Sequence, residues 1–360
     1  MRRLKNPLVL GLFALLLGAA GLVIWQIARH ARVATRIESD TLDQQDPELG
    51  YKLQPNVRGA QIVIPAMPLP PSFHGDLDTR LAAKDDIKRV LTFTVDTNNL
   101  GLRGPDVRER KPRRTYRVLC LGDSTTFGWG VSDEESYPRV AEATLAGQEG
   151  LFGRHWEFLN AGVPGYTLQR IERYLERDLL ALEPDLVTLC SWGELDRPQP
   201  VGLYRQILER LSRLSREQGF DLALLCPPRS SFDLHPLTEE FRQTMIQVAA
   251  KEGVLFVDFS THLERAGQDR GIQLRVDGDV QQLVKLDVDP PEVLLEVSYS
   301  RPPRSQDRVA PEVYAYLNDT DLSEALMLDD GHPNVEGQRL MGEYLAQQLS
   351  TWAAAADPDG

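Results

Sequence analysis

Residues 118–130 read VLCLGDSTTFGWG. Val118 to Leu121 has the unbroken apolar density of a buried parallel strand, and Gly122 then turns the chain. A serine just past the carboxyl end of such a strand stands where open α/β sheets place their ligands. Asp and Ser also cap turns commonly, so Asp123 and Ser124 acquire a meaning only from the rest of the chain.

Working outward, four more runs share this character: WEFLNAG (156–162), DLVTLC (185–190), DLALLC (221–226) and VLFVDF (254–259). Helical periodicity separates them. Leu168, Ile171, Leu175, Leu179 and Leu182 fall at steps of three and four, as do Leu203, Ile207, Leu211 and Leu214. Phe241, Met245, Val248 and Ala249 repeat the pattern, and Gly219 and Gly253 are placed to end their helices. Ser132 and Glu135 have the spacing of a capping box for the first helix. Five strands alternating with helices predict a parallel sheet covered on both faces, a three-layer α/β/α fold.

The rhythm breaks between about Gly271 and Asn318. Ile272, Leu274 and Val276 alternate with polar residues, and EVLLEVSYS (292–300) and EVYAYL (312–317) read as further strands. This predicts a β-rich insertion at about 271–318, ahead of a last helix from about Val335 to Trp352 with Asn334 as its N-cap. The α/β domain then spans 116–356. Before it, residues 50–115 hold short strand-like segments around the Pro-rich PAMPLPPS, a small β-rich preamble. Residues 29–49 are acidic and poor in large apolar side chains toward their end, which suits a linker.

The first 28 residues differ from all of this. Arg2, Arg3 and Lys5 precede nineteen residues without charge, Pro7 to Trp25. At ~1.5 Å per residue such a helix spans a hydrocarbon layer of ~30 Å. Signal-peptide cores usually run ~7–15 residues, so the length favours a retained anchor over cleavage after Gly18-Ala19-Ala20. Arg29, Arg32 and Arg36 put positive charge on the far side too. The expectation is a single-pass membrane anchor with the bulk of the chain outside the cytoplasm.

Composition narrows the function classes. The 360 residues carry a formal net charge of −13, with 42% hydrophobic and 26% charged residues. That is a globular chain, and its acidity argues against a nucleic-acid partner, which normally meets a basic face. The basic cluster RERKPRRTYR (108–117) reads as a solvated connector between domains. Cys120, Cys190 and Cys226 each end an apolar run and read as reduced core residues. His30, His74, His155, His235 and His262 lack metal-ligand spacing, so neither a metal nor a cofactor is expected. Trp192 reads as a core aromatic.

A second signal lies far along the chain, at LDDGHPNVEG (328–337). Asp329 and His332 stand three apart in a loop before the last helix. A carboxylate in reach of a histidine can hold one tautomer and stabilise the imidazolium. A serine hydroxyl is a weak nucleophile and needs such a base beside it. The loop after the first strand and the loop before the last helix can both reach the carboxyl edge of a parallel sheet. Ser124 and His332 are therefore expected to meet.

GDSTTFG (122–128), NAGVPGYT (160–167) and DDGHPN (329–334), in this order, resemble the motifs of the SGNH/GDSL hydrolase family. The resemblance covers Tyr116 to Trp352 without the insertion. GYKLQPN (50–56) and NNLGLRGPDV (98–107) also look like the segment that precedes this domain in membrane-anchored members. It implies a flavodoxin-like sheet and the hydrolysis or transfer of acyl esters. By the same resemblance Ser124 is the nucleophile, His332 the base and Asp329, next to Asp330, the triad acid. The oxyanion would be held by main-chain N–H groups of Ser124 and Gly165. Asp123 is expected to be a structural hydrogen-bonder. One block departs from the family: where it carries Gly-x-Asn-Asp, this chain has SWGELD (191–196), with Leu195 at the asparagine position. Asn160 and Arg197 are the possible replacement donors.

The leading expectation is an extracytoplasmic serine ester hydrolase acting on an acylated small molecule, glycan or lipid. A sugar hydroxyl as acceptor would make it a polysaccharide O-acetyltransferase. The replacement of the asparagine by Leu195 leaves a third reading, a non-catalytic carbohydrate-binding or scaffold protein.

Overall fold

A computed structural model describes residues 42–64, 91–147, 153–193, 200–228, 236–269, 271–277, 280–286, 288–298, 326 and 332–356. The expected anchor, the strand at 312–317, Leu195, Arg197, Asp329 and Asp330 lie outside these residues.

The five expected strands are β5 (Thr115–Gly122), β6 (His155–Gly162), β7 (Leu186–Cys190), β8 (Asp221–Cys226) and β9 (Leu255–Asp258). They form one sheet in the order β6-β5-β7-β8-β9, every pair parallel. The reversal of strand order beside β5 makes a switch point, and Ser124 follows β5 there.

Alternation along each strand assigns its side chains to two cores. Tyr116, Val118 and Cys120 of β5, Leu186 and Cys190 of β7, and Ala223 and Leu225 of β8 face one side. There they meet α2 (Tyr137–Leu145), α6 (Phe259–Asp269) and α7 (Val335–Ala356). Leu119, Leu121, Val187, Leu189, Leu222 and Leu224 face the other side. They pack on α3 (Leu168–Tyr174), α4 (Val201–Gln218) and α5 (Pro236–Glu252). Both faces are thus buried, as continuous apolar strands require. All three cysteines are free and buried in these layers.

The helix signals hold with local changes. Gly219 caps α4 in the left-handed region, and Asn334 Oδ1 accepts the Gly337 N–H at 2.8 Å as the N-cap of α7. The leucine ladder from Leu168 continues past α3 through a π turn (Leu175–Leu179) and a 3-10 turn (Leu180–Leu182). The Ser132–Glu135 box forms, with Glu135 Oε2 accepting the Ser132 N–H at 2.9 Å. It closes the turn ahead of α2, however, and the helix starts at Tyr137 with Ser136 as N-cap. Pro138, suited to a first helical turn, fixes that later start.

Other expectations change more. Part of the acidic segment expected to be a linker is folded: β1 (Asp43–Asp46) pairs antiparallel with β2 (Gly50–Leu53). Leu42 and Leu49 are buried in the core beneath this hairpin. Two apolar anchors help to hold an otherwise polar strand, which composition alone does not reveal. β3 (Ala60–Ile64) and β4 (Leu91–Val95) form a second antiparallel pair. The inserted segment is a meander of β10 (Ile272–Asp277), β11 (Val280–Lys285) and β12 (Glu292–Ser298). The middle strand, VQQLVK, carries no clear strand signal in the sequence because its two adjacent glutamines break the alternation.

The basic cluster is not wholly solvated either. Arg117 is fully buried, its Nε donating to Glu157 at 2.6 Å and its Nη1 to the Leu182 carbonyl at 2.6 Å. It also donates to the carbonyls of Glu109 and Arg108, which staples the connector to the base of the sheet. A planar guanidinium can serve four acceptors at once where an ammonium could not.

Candidate active site

The turn after β5 is shaped by side-chain bonds. Asp123 is the N-cap of α1 (Ser124–Phe127) and accepts the Thr125 N–H at 3.0 Å. Its other oxygen accepts from Ser191 Oγ at 2.7 Å, and Ser191 Oγ in turn accepts the Gly193 N–H at 2.9 Å. Asp123 thus ties the serine loop to the end of β7, the structural role expected for it. Burial pushes its carboxyl above the usual carboxylate range, against the opposing pull of the Ser191 and Thr125 bonds.

β6 delivers the second motif to the same edge. The Val163 N–H donates to the Gly122 carbonyl at 3.1 Å, so the loop from 163 onward leaves the sheet beside Ser124. Gly162 lies so close to α1 that a Cβ there would stand 2.2 Å from the Phe127 nitrogen. Only glycine lets the two motifs touch. Asn160 spends its carboxamide within the fold: Nδ2 donates to the Phe127 carbonyl at 3.4 Å and Oδ1 accepts the Gly162 N–H at 3.0 Å. It braces the contact between the first two motifs.

Gly165 sits at φ +75° after Pro164, and the Tyr166 N–H returns to the Val163 carbonyl at 3.2 Å. Proline followed by a residue of positive φ is the pattern of a type II turn. Thr167 closes the loop by capping α3 through the Arg170 N–H.

His332 arrives from the other end of the chain. Its Nε2 lies 2.7 Å from Ser124 Oγ, although the two are 208 positions apart in sequence, and both residues are half-buried. α7 sets this approach. Gln338, fully buried, accepts the Tyr137 N–H at 2.8 Å and donates to the Thr125 carbonyl at 3.3 Å. One side chain therefore joins α7 to α1 and α2. Trp129 packs beside His332 with ring centroids 6.2 Å apart, backed by Phe93 of β4 at 5.4 Å.

Three contributors to this site come from outside the motifs. Arg103 is buried and donates to the carbonyls of Phe127, Gly128 and Val131, the last two at 2.6 Å. Its carbon skeleton brings the guanidinium over the Phe127 ring at 4.5 Å. Its own N–H donates to the Asn160 carbonyl at 3.1 Å, so Arg103 joins the first two motifs. Burial pushes its pKa down to about 10, with Asp133 opposing, and it stays charged at neutral pH. Tyr51 donates to the Pro164 carbonyl, and Gln338 acts as above. Arg103 and Tyr51 lie in NNLGLRGPDV and GYKLQPN, the stretches quoted from the preamble, but nothing local marks them as site residues.

Of the other residues weighed, Trp192 is a core aromatic whose Nε1 donates to the Pro228 carbonyl at 3.3 Å. His262 stacks on Tyr344, with centroids 4.1 Å apart. Among the described residues no group of three His, Cys, Asp or Glu is arranged to hold a metal ion, and no helix is long and apolar enough to cross a membrane.

A serine at the carboxyl end of β5 thus lies within hydrogen-bond reach of a histidine, beside the switch point of the parallel sheet. Residues 120–279 match the model of the GDSL-like Lipase/Acylhydrolase family. The matched segment contains Ser124 and Gly165, and His332 lies beyond its end. No curated protein matches the chain. Solved structures similar to it include a putative lipolytic protein of the G-D-S-L family from Desulfitobacterium hafniense. That protein is 21% identical, with 65% of this chain and 99% of the other covered and a TM-score of 0.43. A G-D-S-L family member from Veillonella parvula is 16% identical over 64% and 96% of the two chains, TM-score 0.43. A catalytic mutant of an acetylxylan esterase from Geobacillus stearothermophilus is 15% identical over 65% and 94%, TM-score 0.43.

Proposed function

We propose that this chain is a GDSL-type serine acylhydrolase that cleaves an ester through an acyl-Ser124 intermediate. The single observation that carries the reading is the 2.7 Å approach of His332 Nε2 to Ser124 Oγ. That distance is within reach for proton transfer between nucleophile and base.

The steps follow from this pair. Ser124 Oγ attacks the ester carbonyl carbon while its proton passes to His332 Nε2. The carbonyl oxygen becomes an oxyanion, held by the main-chain N–H groups of Ser124 and Gly165. The intermediate collapses, the bond from the acyl carbon to the alcohol oxygen breaks, and the imidazolium gives its proton to the departing alcohol. Water then attacks the acyl carbon while His332 takes its proton. As the bond from that carbon to Ser124 Oγ breaks, the imidazolium returns the proton to Oγ, which releases the acid and restores Ser124. Asp329 accepts from the other ring nitrogen and stabilises the imidazolium. In this scheme the substrate is an acylated glycan or small molecule. The domain sits outside the cytoplasm on an anchor formed by residues 1–28, a reading supported by the charge-free run Pro7–Trp25.

The test is a fluorophosphonate probe, which phosphonylates an activated serine, applied together with a panel of acyl esters and acetylated oligosaccharides. The expected result is labelling at Ser124, turnover of at least one ester, and loss of both in Ser124→Ala with folding retained. Labelling at another serine would move the site. An unlabelled and inert protein would return the chain to the binding-protein reading. Membrane fractionation and sequencing of the mature N-terminus test the anchor, which a start just after Ala20 would refute.

A further inference from the structure

We infer that Tyr51, in the β1–β2 hairpin far from the motifs in sequence, is a positioning residue for the oxyanion hole. This inference rests on the acylhydrolase reading, in which the Gly165 N–H is an oxyanion donor.

The Tyr51 hydroxyl donates to the Pro164 carbonyl oxygen at 2.5 Å. That carbonyl and the Gly165 N–H belong to one peptide unit, which is planar and trans, so the two groups point in opposite directions. Fixing the direction of the C=O therefore fixes the direction of the N–H. This unit is also the central peptide of the Val163–Tyr166 turn. Type I and type II turns differ chiefly by a flip of that peptide. A flip would swing the Gly165 N–H to the opposite side and withdraw it from the oxyanion. Proline at the first corner is compatible with both turn types, and glycine permits either sign of φ, so the local sequence leaves the flip open. The Tyr51 bond selects one side. A carbonyl that accepts a hydrogen bond also polarises the N–H of its own peptide, making that N–H the better donor.

Tyr51 is itself held in place. It pairs with Gln45 across the hairpin, and the Tyr166 hydroxyl donates to its carbonyl. The Tyr51 and Tyr166 rings meet edge to face with centroids 5.4 Å apart, and the Arg170 guanidinium lies over the Tyr51 ring at 5.7 Å. Two tyrosines thus bond reciprocally between hairpin and turn. Space is equally tight: a Cβ on Gly165 would stand 2.8 Å from the Tyr51 oxygen. The hairpin belongs to the catalytic apparatus although it supplies no reacting group.

Tyr51→Phe tests this, because it removes the hydroxyl and keeps the ring. Rates are taken per site titrated with the fluorophosphonate, so any misfolded fraction drops out. The expected result is a fall in kcat of about five- to tenfold, the size of one lost hydrogen bond, with KM within about twofold of the parent. An alkylboronic acid, whose adduct with Ser124 places an oxygen in the oxyanion hole, should bind weaker by the same factor. A Tyr51→Phe protein with parental kcat and boronic acid affinity overturns the inference while leaving the esterase reading intact. A rise in KM at unchanged kcat also overturns it. An inert, unlabelled parent overturns both.

Discussion

Gly162→Ala is the sharpest test of how the two motifs are joined. The added methyl carbon would lie 2.2 Å from the Phe127 nitrogen, 2.7 Å from the Thr126 carbonyl carbon and 2.8 Å from Phe127 Cα. All three are main-chain atoms of α1, so no side chain can rotate away. Restoring an ordinary contact near 3.4 Å requires α1 and β6 to separate by about 1 Å. Overpacking of this kind costs ~1–3 kcal/mol of stability. The consequence for catalysis is larger, because Ser124 opens the displaced helix and a ~1 Å misplacement of a reacting group costs ~10²-fold in rate. Measured kcat/KM, and the second-order rate of fluorophosphonate labelling, should both fall about a hundredfold. The melting temperature should drop by only a few degrees. A variant with parental labelling rate and turnover would refute the reasoning, since it would show that the two motifs are not in rigid contact.

Three further outcomes follow from the same geometry. Arg103→Met removes three charge-assisted bonds to the carbonyls of Phe127, Gly128 and Val131 and should cost roughly 4 kcal/mol by urea denaturation. Arg103→Lys should recover only part, because an ammonium cannot match the fork, and full recovery would contradict the assigned role. Asp46 is held well below the usual carboxylate range, chiefly by Arg177, whose Nη1 and Nη2 reach it at 2.8 and 2.7 Å, and next by the Leu49 N–H. A carboxyl depressed in the folded state contributes stability above its unfolded value of ~3.9 and loses that contribution as the pH falls toward its folded value. Asp46→Asn should therefore melt lower at pH 7 and show a shallower acid limb below about pH 4, and superimposable limbs would speak against the pair. Asp329→Asn should lower kcat up to ~10⁴-fold, far more than Asp330→Asn, and the reverse order would transfer the triad role to Asp330.

What the chain determined by itself is the layered sheet and the meeting of Ser124 with His332. Each core strand is a short, mainly apolar run and each helix face a ladder of steps of three and four. Both signals are local, so VLCLG, DLVTLC and the Leu168–Leu182 series could be read without knowing their partners. The meeting of Ser124 and His332 was legible because the loop after the first sheet strand and the loop before the last helix both reach the carboxyl edge of a parallel sheet. Tertiary structure alone decided how those loops are held. Arg103 reads as one more basic residue in a polar stretch until it is seen to donate into the carbonyls after α1. Gln338 reads as a surface glutamine until helix packing buries it between Thr125 and Tyr137. Asn160 reads as one more polar residue at a strand end until it is seen to bond Phe127 and Gly162 at once. The acidic stretch at 42–49 looked like a linker, and only the core beneath the hairpin explains why Leu42 and Leu49 fold it. In each case the deciding contact joins residues distant in sequence. Hydrophobic periodicity is a property of one segment, whereas a hydrogen-bond partner is a property of the assembled fold.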